Sequence, residues 1–459
     1  MTRALPRLLL TAPSSGQGKT TLTLALLRAL QSTGCRPVAF KSGPDYIDPM
    51  FHRRVLGLPS YNLDLFLSNT PTVTRLLAEY GGNGDMALIE GAMGYYDGVG
   101  TTDAASAWNL ACATHTPAIL LLSARGAALS LAATVRGFDS LRRPSQLAGV
   151  ILNRCTPALY GRVAPAIRQE TGLPVLGFLP ELPECTLQSR HLGLVTAGEI
   201  ADLSQKLDKL GEAARQNIDL QALLTLAQAA PPLEFLPQAA ARLPRRVRLA
   251  VAKDDAFCFY YEETLALFRA LGAEPVFFSP LQDGGLPPDI QALYLGGGYP
   301  ELYARRLSQN RAMLADIRNA IEGGLPCLAE CGGFLYLHEQ LQDDKGDFHP
   351  MAGVVLGRAH SGNRLGPFGY VTLTARRDNL LCRAGEALRA HEFHYWQSDS
   401  CGDAFKAQKP DGRSWDAVHA TQSLFAGFPH LYLQGNVPAA KKFLAAAAAY
   451  GEKYGFSGA

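Results

Sequence analysis

The sequence predicts two α/β domains in series, the first a doubly wound parallel sheet. Three observations predict this. Short, wholly apolar runs alternate with helical patterns; the alternation breaks in a proline-rich stretch at 231–246 and then restarts; and a glycine-rich loop ending in Lys-Thr-Thr stands at the first strand-to-helix junction. Runs that are apolar on both faces are what parallel strands covered by helices require.

Strands are expected at 8–11, 37–41, 86–90, 118–123, 149–153 and 175–178, with a helix over 19–31. From 200 to 230 the pattern is helical and rich in alanine and leucine. Pro231, Pro232, Pro237 and Pro244 follow, with Arg242, Arg245, Arg246 and Arg248 among them. This predicts a linker at 231–246 between domains at 1–230 and 247–459; a surface loop within one domain is the alternative. A fresh βα series then places strands at 247–252, 275–278, 292–295 and 326–329, and a helix at 260–271. The alanine-rich stretch at 439–450 reads as a packing helix.

Composition narrows the class. The chain has 459 residues, 47% of them hydrophobic, and a net charge of +2. That apolar content suffices for real cores and excludes intrinsic disorder. Near-neutrality argues against a protein that coats nucleic acid. No run approaches the ~18 apolar residues of a membrane span, and no secretory-type apolar segment is seen at the start. The nine scattered cysteines, without a CxxC pair, form neither a disulfide framework nor a zinc site. They fit a reducing compartment, so a cytoplasmic enzyme is expected, with neither nucleic acid nor membrane as partner. A homodimer is compatible with the sequence, which leaves oligomeric state open.

Ala12-Pro-Ser-Ser-Gly16-Gln-Gly18-Lys19-Thr20-Thr21 joins the first strand to the first helix. Glycines there let backbone N–H groups approach a phosphate, and a helix N-terminus adds partial positive charge. Lys19 would reach the β- and γ-phosphates of ATP, and Thr20 would ligate Mg²⁺. Pro13 stands where the strict GxxxxGK[ST] form has its first glycine. Asp45 and Asp48 follow the second strand, and Glu90 and Asp97 follow a later one. Ligand crevices in such sheets lie at the carboxyl ends of strands, so Asp45 and Glu90 could converge on the Mg²⁺ that Thr20 holds. Asp45 and Asp48 also suit simple turns around Pro44 and Pro49. Asn153, at another strand end, could meet an adenine edge or cap the turn before Pro157. Ser189, Arg190 and His191 could face an anionic ligand or solvent.

In the second domain Glu330-Cys331-Gly332-Gly333 reads as strand, sharp turn and helix. A cysteine at such an elbow faces a helix N-terminus, which should lower its pKa and make it a nucleophile. Cys327 lies within the strand and reads as core. Gly296, Gly297 and Gly298 end another strand and offer N–H groups for an oxyanion hole, with Gly297 and Gly298 the nearest candidates. His430, His391 and His394 are all candidate bases, and residue chemistry does not rank them.

Taken in order, six motifs carry a resemblance: Ser-Gly-Gln-Gly-Lys-Thr-Thr, Lys-Ser-Gly-Pro-Asp-Tyr-Ile-Asp-Pro, Arg-His-Leu-Gly-Leu, Gly-Gly-Gly-Tyr-Pro-Glu, Ala-Glu-Cys-Gly-Gly-Phe and His-Glu-Phe-His-Tyr. Together they resemble the cobyrinate a,c-diamide synthase family, glutamine-dependent amidotransferases of cobalamin biosynthesis, over nearly the whole chain. The resemblance implies an N-terminal synthetase domain similar to dethiobiotin synthetase and a C-terminal class I glutaminase domain. It implies Cys331 as nucleophile with His430 as partner, L-glutamine and ATP as co-substrates, and cobyrinic acid as the amidated ring. Lys19, Thr20, Asp45 and Glu90 would position Mg·ATP, while Asp48 and Asp97 would orient substrate or ammonia. Many class I glutaminases carry a glutamate two residues after the histidine; here that position is Tyr432. The same machinery could serve hydrogenobyrinate or nickel sirohydrochlorin, with the stretch from Arg364 to Val371 favouring the cobyrinate branch. A P-loop switch ATPase is the reading from another class; it has no need of the Cys331 elbow.

Overall fold

The computed structural model describes residues 1–185, 203–238, 246–362 and 366–455. Ser189, Arg190, His191 and Arg364 lie outside them, as does the 239–245 part of the expected linker. The chain divides into two compact units, Met1–Gln238 and Ala239–Ala459.

The first unit carries a seven-stranded sheet in the order Ser60–Leu63, Pro37–Ser42, Met86–Glu90, Arg7–Thr11, Ala118–Ser123, Leu147–Asn153 and Val175–Leu179. Every pairing is parallel. The strand order reverses at Arg7–Thr11, which has the site-bearing Met86–Glu90 on one side and Ala118–Ser123 on the other. Leu8, Leu9 and Leu10 are all fully buried, which explains why this strand reads as an unbroken apolar run. Ser60–Leu63 was not expected from sequence. The helical stretch after 200 is two helices, Leu203–Asn217 and Leu220–Gln228, separated where Asp219 caps the second through Ala222 N–H at 2.9 Å. Beyond them Leu233–Glu234 pairs antiparallel with Thr2–Arg3.

The second unit has a six-stranded sheet ordered Ala273–Phe278, Val247–Ala252, Ala292–Leu295, Cys327–Glu330, Leu424–Gly427 and His419–Ala420. All pairings but the last are parallel. A five-stranded sheet, which the sequence did not lead us to expect, runs antiparallel in the order Ser414–Ala417, Phe405–Gln408, Gly369–Ala375, Ala387–Glu392 and His430–Leu431. Its burial alternates along the strands, as for a sheet with one face on a core. Among the described residues no helix is long and apolar enough to cross a membrane.

Candidate functional site

In the first unit the glycine-rich loop leads into the Lys19–Ser32 helix. Gly16 and Gly18 have φ of 77° and 94°, left-handed backbone that glycine adopts without a Cβ penalty. Gly18 is also boxed in, since a Cβ there would lie 2.3 Å from Nδ2 of Asn153. That amide donates to the Gln17 carbonyl at 2.7 Å, so Asn153 bolts the loop to the end of the Leu147–Asn153 strand. Lys19 folds back over the loop and donates to the carbonyls of Ser14, at 3.1 Å, and Met93. Burial pulls its ammonium down to about 8, with Glu90 pulling the other way. Thr21 is half-buried in the first helical turn.

Thr20 Oγ1 donates to Glu90 Oε1 at 2.6 Å. Glu90 ends its strand directly across from Lys41, and Lys41 Nζ donates to the same oxygen at 2.9 Å. The ammonium also donates to Asp48 Oδ2 and stands 4.0 Å from Asp45 Oδ2. Asp45 Oδ1 meanwhile accepts the Ile47 N–H at 2.8 Å, a local turn that opens the Ile47–Leu56 helix. Asp45, Asp48 and Glu90 therefore meet around a lysine that sequence reasoning did not single out. Burial works to depress Lys41, but Asp48, Glu90 and Asp45 outweigh it and hold its pKa up. Burial raises Asp48 to about 6 against the pull of Lys41. Asp97 is not hydrogen-bonded into this cluster; it is exposed and accepts the Gly94 N–H at 3.0 Å. Its loop is stitched to the phosphate loop by Tyr95 N–H to Ala12 O at 2.9 Å.

Glu90 Oε2 is buried, with no hydrogen-bond partner among the described residues. A carboxylate oxygen left over beside a P-loop hydroxyl suits a nucleotide-borne Mg²⁺, which takes one or two protein oxygens and the rest from phosphate and water. Thr20 and Glu90 thus fit that ion. Among the described residues no group of three or more His, Cys, Asp or Glu could hold a metal by itself.

In the second unit Cys331 sits between the Cys327–Glu330 strand and the Gly332–Tyr336 helix, with φ 47° and ψ −101°. That conformation is strained for a residue with a side chain, and it is the geometry of a nucleophile elbow. Gly332 and Gly333 permit close packing on the triple-glycine turn: a Cβ at Gly332 would lie 2.9 Å from Gly298 N, and Gly333 N–H donates to Gly296 O at 2.9 Å. A Cβ at Gly297 would lie 2.6 Å from Cε1 of His430. The elbow and the His430 ring therefore lean on the same turn, which Tyr260 holds by accepting the Gly296 N–H at 2.8 Å. His391 is the cross-strand partner of His430, while His394 stacks on Phe428 with ring centroids 3.7 Å apart. A cavity of about 220 Å³ has Glu392, His394, Phe428 and Pro429 in its wall. Tyr432 is fully buried and packs edge-on against Tyr261 at 5.0 Å.

One expectation is corrected. The elbow was expected to lower the thiol pKa, but burial pushes Cys331 well above the ordinary thiol value, helped by Glu301, Glu330 and Glu392. The hydrogen bond from the Gly332 N–H acts in the expected direction and is outweighed. The helix it caps has only five residues, too short to supply a full dipole. Burial also holds His430 down to about 3, with His391 and His394 adding to the effect. Both shifts favour the neutral thiol and the neutral imidazole. Sequence reasoning also passed over Glu330 and Tyr294, behind the elbow.

Comparison with known proteins agrees with this division. Residues 8–195 match a "CobQ/CobB/MinD/ParA nucleotide binding domain" and residues 248–437 a "CobB/CobQ-like glutamine amidotransferase domain". The chain is 40% identical to a cobyrinate a,c-diamide synthase of Salmonella typhimurium, over 96% of this chain and 97% of that one. It is 36% identical to the enzyme of that name from Thermoplasma volcanium, over 98% and 99% of the two chains. For the one from Clostridium acetobutylicum the identity is 37%, over 94% and 98%.

Proposed function

The chain belongs to the cobyrinate a,c-diamide synthase family, and from that premise we propose that it amidates the a and c acetate carboxylates of cobyrinic acid in the cytoplasm, using ATP and glutamine. The observation that carries this reading is the pairing, in one chain, of a phosphate loop whose Thr20 meets Glu90, a carboxylate also held by Lys41 of the Pro37–Ser42 strand, with a strained cysteine elbow beside a histidine.

The chemistry explains the need for both. A carboxylate does not accept ammonia directly, because oxide cannot leave. Transfer of the γ-phosphoryl group of ATP to the carboxylate makes an acyl phosphate, and ammonia then displaces phosphate. Phosphoryl transfer is mostly positioning and charge stabilisation. Gly16, Gly18 and the first helical turn hold the phosphates, with Thr21 and Asn153 supporting the nucleotide, and Lys19 meets the transferring group. Thr20, Glu90 and Asp45 would hold Mg²⁺, which supplies neutralisation of phosphate charge when bound. Asp48 and Asp97 orient the reacting carboxylate or the incoming ammonia, and Lys41 keeps the acidic cluster compact.

Ammonia comes from the second unit. His430 takes the Cys331 proton as the sulfur attacks the glutamine amide, and Gly297 and Gly298 donate to the developing oxyanion. His430 returns that proton to the amide nitrogen, which leaves as ammonia, and water then cleaves the glutamyl thioester to glutamate and frees the thiol.

Mass spectrometry of cobyrinic acid incubated with the protein, Mg·ATP and glutamine tests this, with hydrogenobyrinic acid and nickel sirohydrochlorin in parallel. Two carboxyl-to-amide conversions on cobyrinic acid are expected. Amidation of another ring alone would keep the mechanism and change the substrate. ATP hydrolysis with no amidation of any ring would overturn the reading in favour of a switch ATPase.

A further inference from the structure

The glutaminase unit holds the strand of its histidine by a buried side chain from another sheet. His430–Leu431 is a strand of two residues at the edge of the antiparallel sheet, paired on one side with Ala387–Glu392. So short an edge strand gains few ladder bonds, and its outward N–H needs another acceptor. Glu330 supplies it: Oε1 accepts the Leu431 N–H at 3.0 Å, across a sequence separation of 101 residues. Oε2 accepts the Tyr294 hydroxyl at 3.0 Å.

The three residues in this contact each neighbour a working part. Glu330 precedes Cys331, Leu431 follows His430, and Tyr294 stands two residues before Gly296. The carboxyl group thus sets three spacings at once, between nucleophile, histidine and oxyanion turn. Glu330 is fully buried, and its hydrogen-bond partners are both uncharged. Burying an acid in this way costs stability that an apolar side chain of similar volume would not. What the carboxyl provides in return is geometry.

We propose that Glu330 is a positioning residue of the glutaminase, fixing His430 relative to Cys331 through the backbone of Leu431, with Tyr294 fixing the carboxyl group itself. It takes over the orienting task of the glutamate that Tyr432 replaces, acting on the main chain instead of the imidazole. The inference rests on the glutaminase reading above.

The test uses the full chain and measures glutaminase kcat, the KM for glutamine, ammonia-supported amidation and Tm. Glu330→Met loses the Leu431 bond. Its kcat should fall about a hundredfold, the usual consequence of an ångström-scale misplacement. The KM for glutamine and the ammonia-supported rate should stay within about threefold of wild type, a split that a general loss of structure would not give. Glu330→Gln keeps an acceptor oxygen for the Leu431 N–H and should retain kcat within about fivefold. If Glu330→Met does not fold, Glu330→Asp, one methylene too short, carries the same expectation. An unimpaired kcat in these shortened or apolar variants overturns the proposal, as does a Glu330→Gln enzyme as slow as they are. Wild-type protein without glutaminase activity would overturn the parent reading; wild-type activity with an unimpaired variant overturns this one alone.

Discussion

Thr20 Oγ1 and Glu90 Oε1 stand 2.6 Å apart, one in the first turn of a helix and the other at the end of a strand. The contact holds the hydroxyl beside the carboxylate whose second oxygen, Oε2, has no hydrogen-bond partner among the described residues, so a P-loop hydroxyl and a carboxylate oxygen stand together where a nucleotide-borne Mg²⁺ would take them. Thr20→Val keeps the shape and removes the oxygen. Its affinity for Mg·ATP should fall about 10- to 100-fold, the worth of one charge-assisted contact. Calorimetric titration with a non-hydrolysable analogue checks this; unchanged affinity would remove Thr20 from the ion's coordination.

The two loop glycines should not respond alike. Gly18→Ala adds backbone strain and drives a methyl into the Asn153 amide, whereas Gly16 has open space around its Cβ position. Strain alone costs about 1–2 kcal/mol, and overpacking adds about 1–3 kcal/mol at Gly18 only. Thermal unfolding should therefore separate the two variants, with Gly18→Ala the less stable. Equal losses would mean that the Asn153 contact does not restrain the loop.

Cys331 should be slow to alkylate at neutral pH. Its pKa is raised, so the proton is held and the thiolate fraction at pH 7 lies below that of an ordinary cysteine. Iodoacetamide labelling of the Cys331 peptide, followed by mass spectrometry without glutamine present, should climb continuously from pH 7 to beyond pH 9. A plateau by pH 6–7 would instead mean a thiolate–imidazolium pair in the resting enzyme, and the neutral pair inferred from burial would be wrong.

Much of this was legible in the sequence, and the exceptions have physical causes. Parallel strands such as Arg7–Thr11 are buried on both faces and leave an apolar run that needs no context. Lys19 and Thr20 follow from the local chemistry of one loop. Lys41 does not: it closes an apolar strand, and its role appears only once the Pro37–Ser42 and Met86–Glu90 strands align Lys41 with Glu90. The antiparallel strands were missed because they carry one buried face in short segments. Ala387–Glu392 buries Leu388, Ala390 and Glu392 between exposed or half-buried neighbours, too weak an alternation to stand out. Glu330 was visible beside Cys331, but its partner Leu431 is a backbone group, and backbone partners leave no mark in a sequence.

The division of labour between the two units is the central claim, and Cys331→Ser tests it most directly. Cobyrinic acid and Mg·ATP would be supplied with either glutamine or ammonium salt, and the diamide followed by mass spectrometry. The expected result is no glutamine-supported product and an ammonia-supported rate equal to that of wild type. Loss of both rates in a protein that folds normally would contradict the account, since Cys331 would then be needed for amidation itself and not only for releasing ammonia.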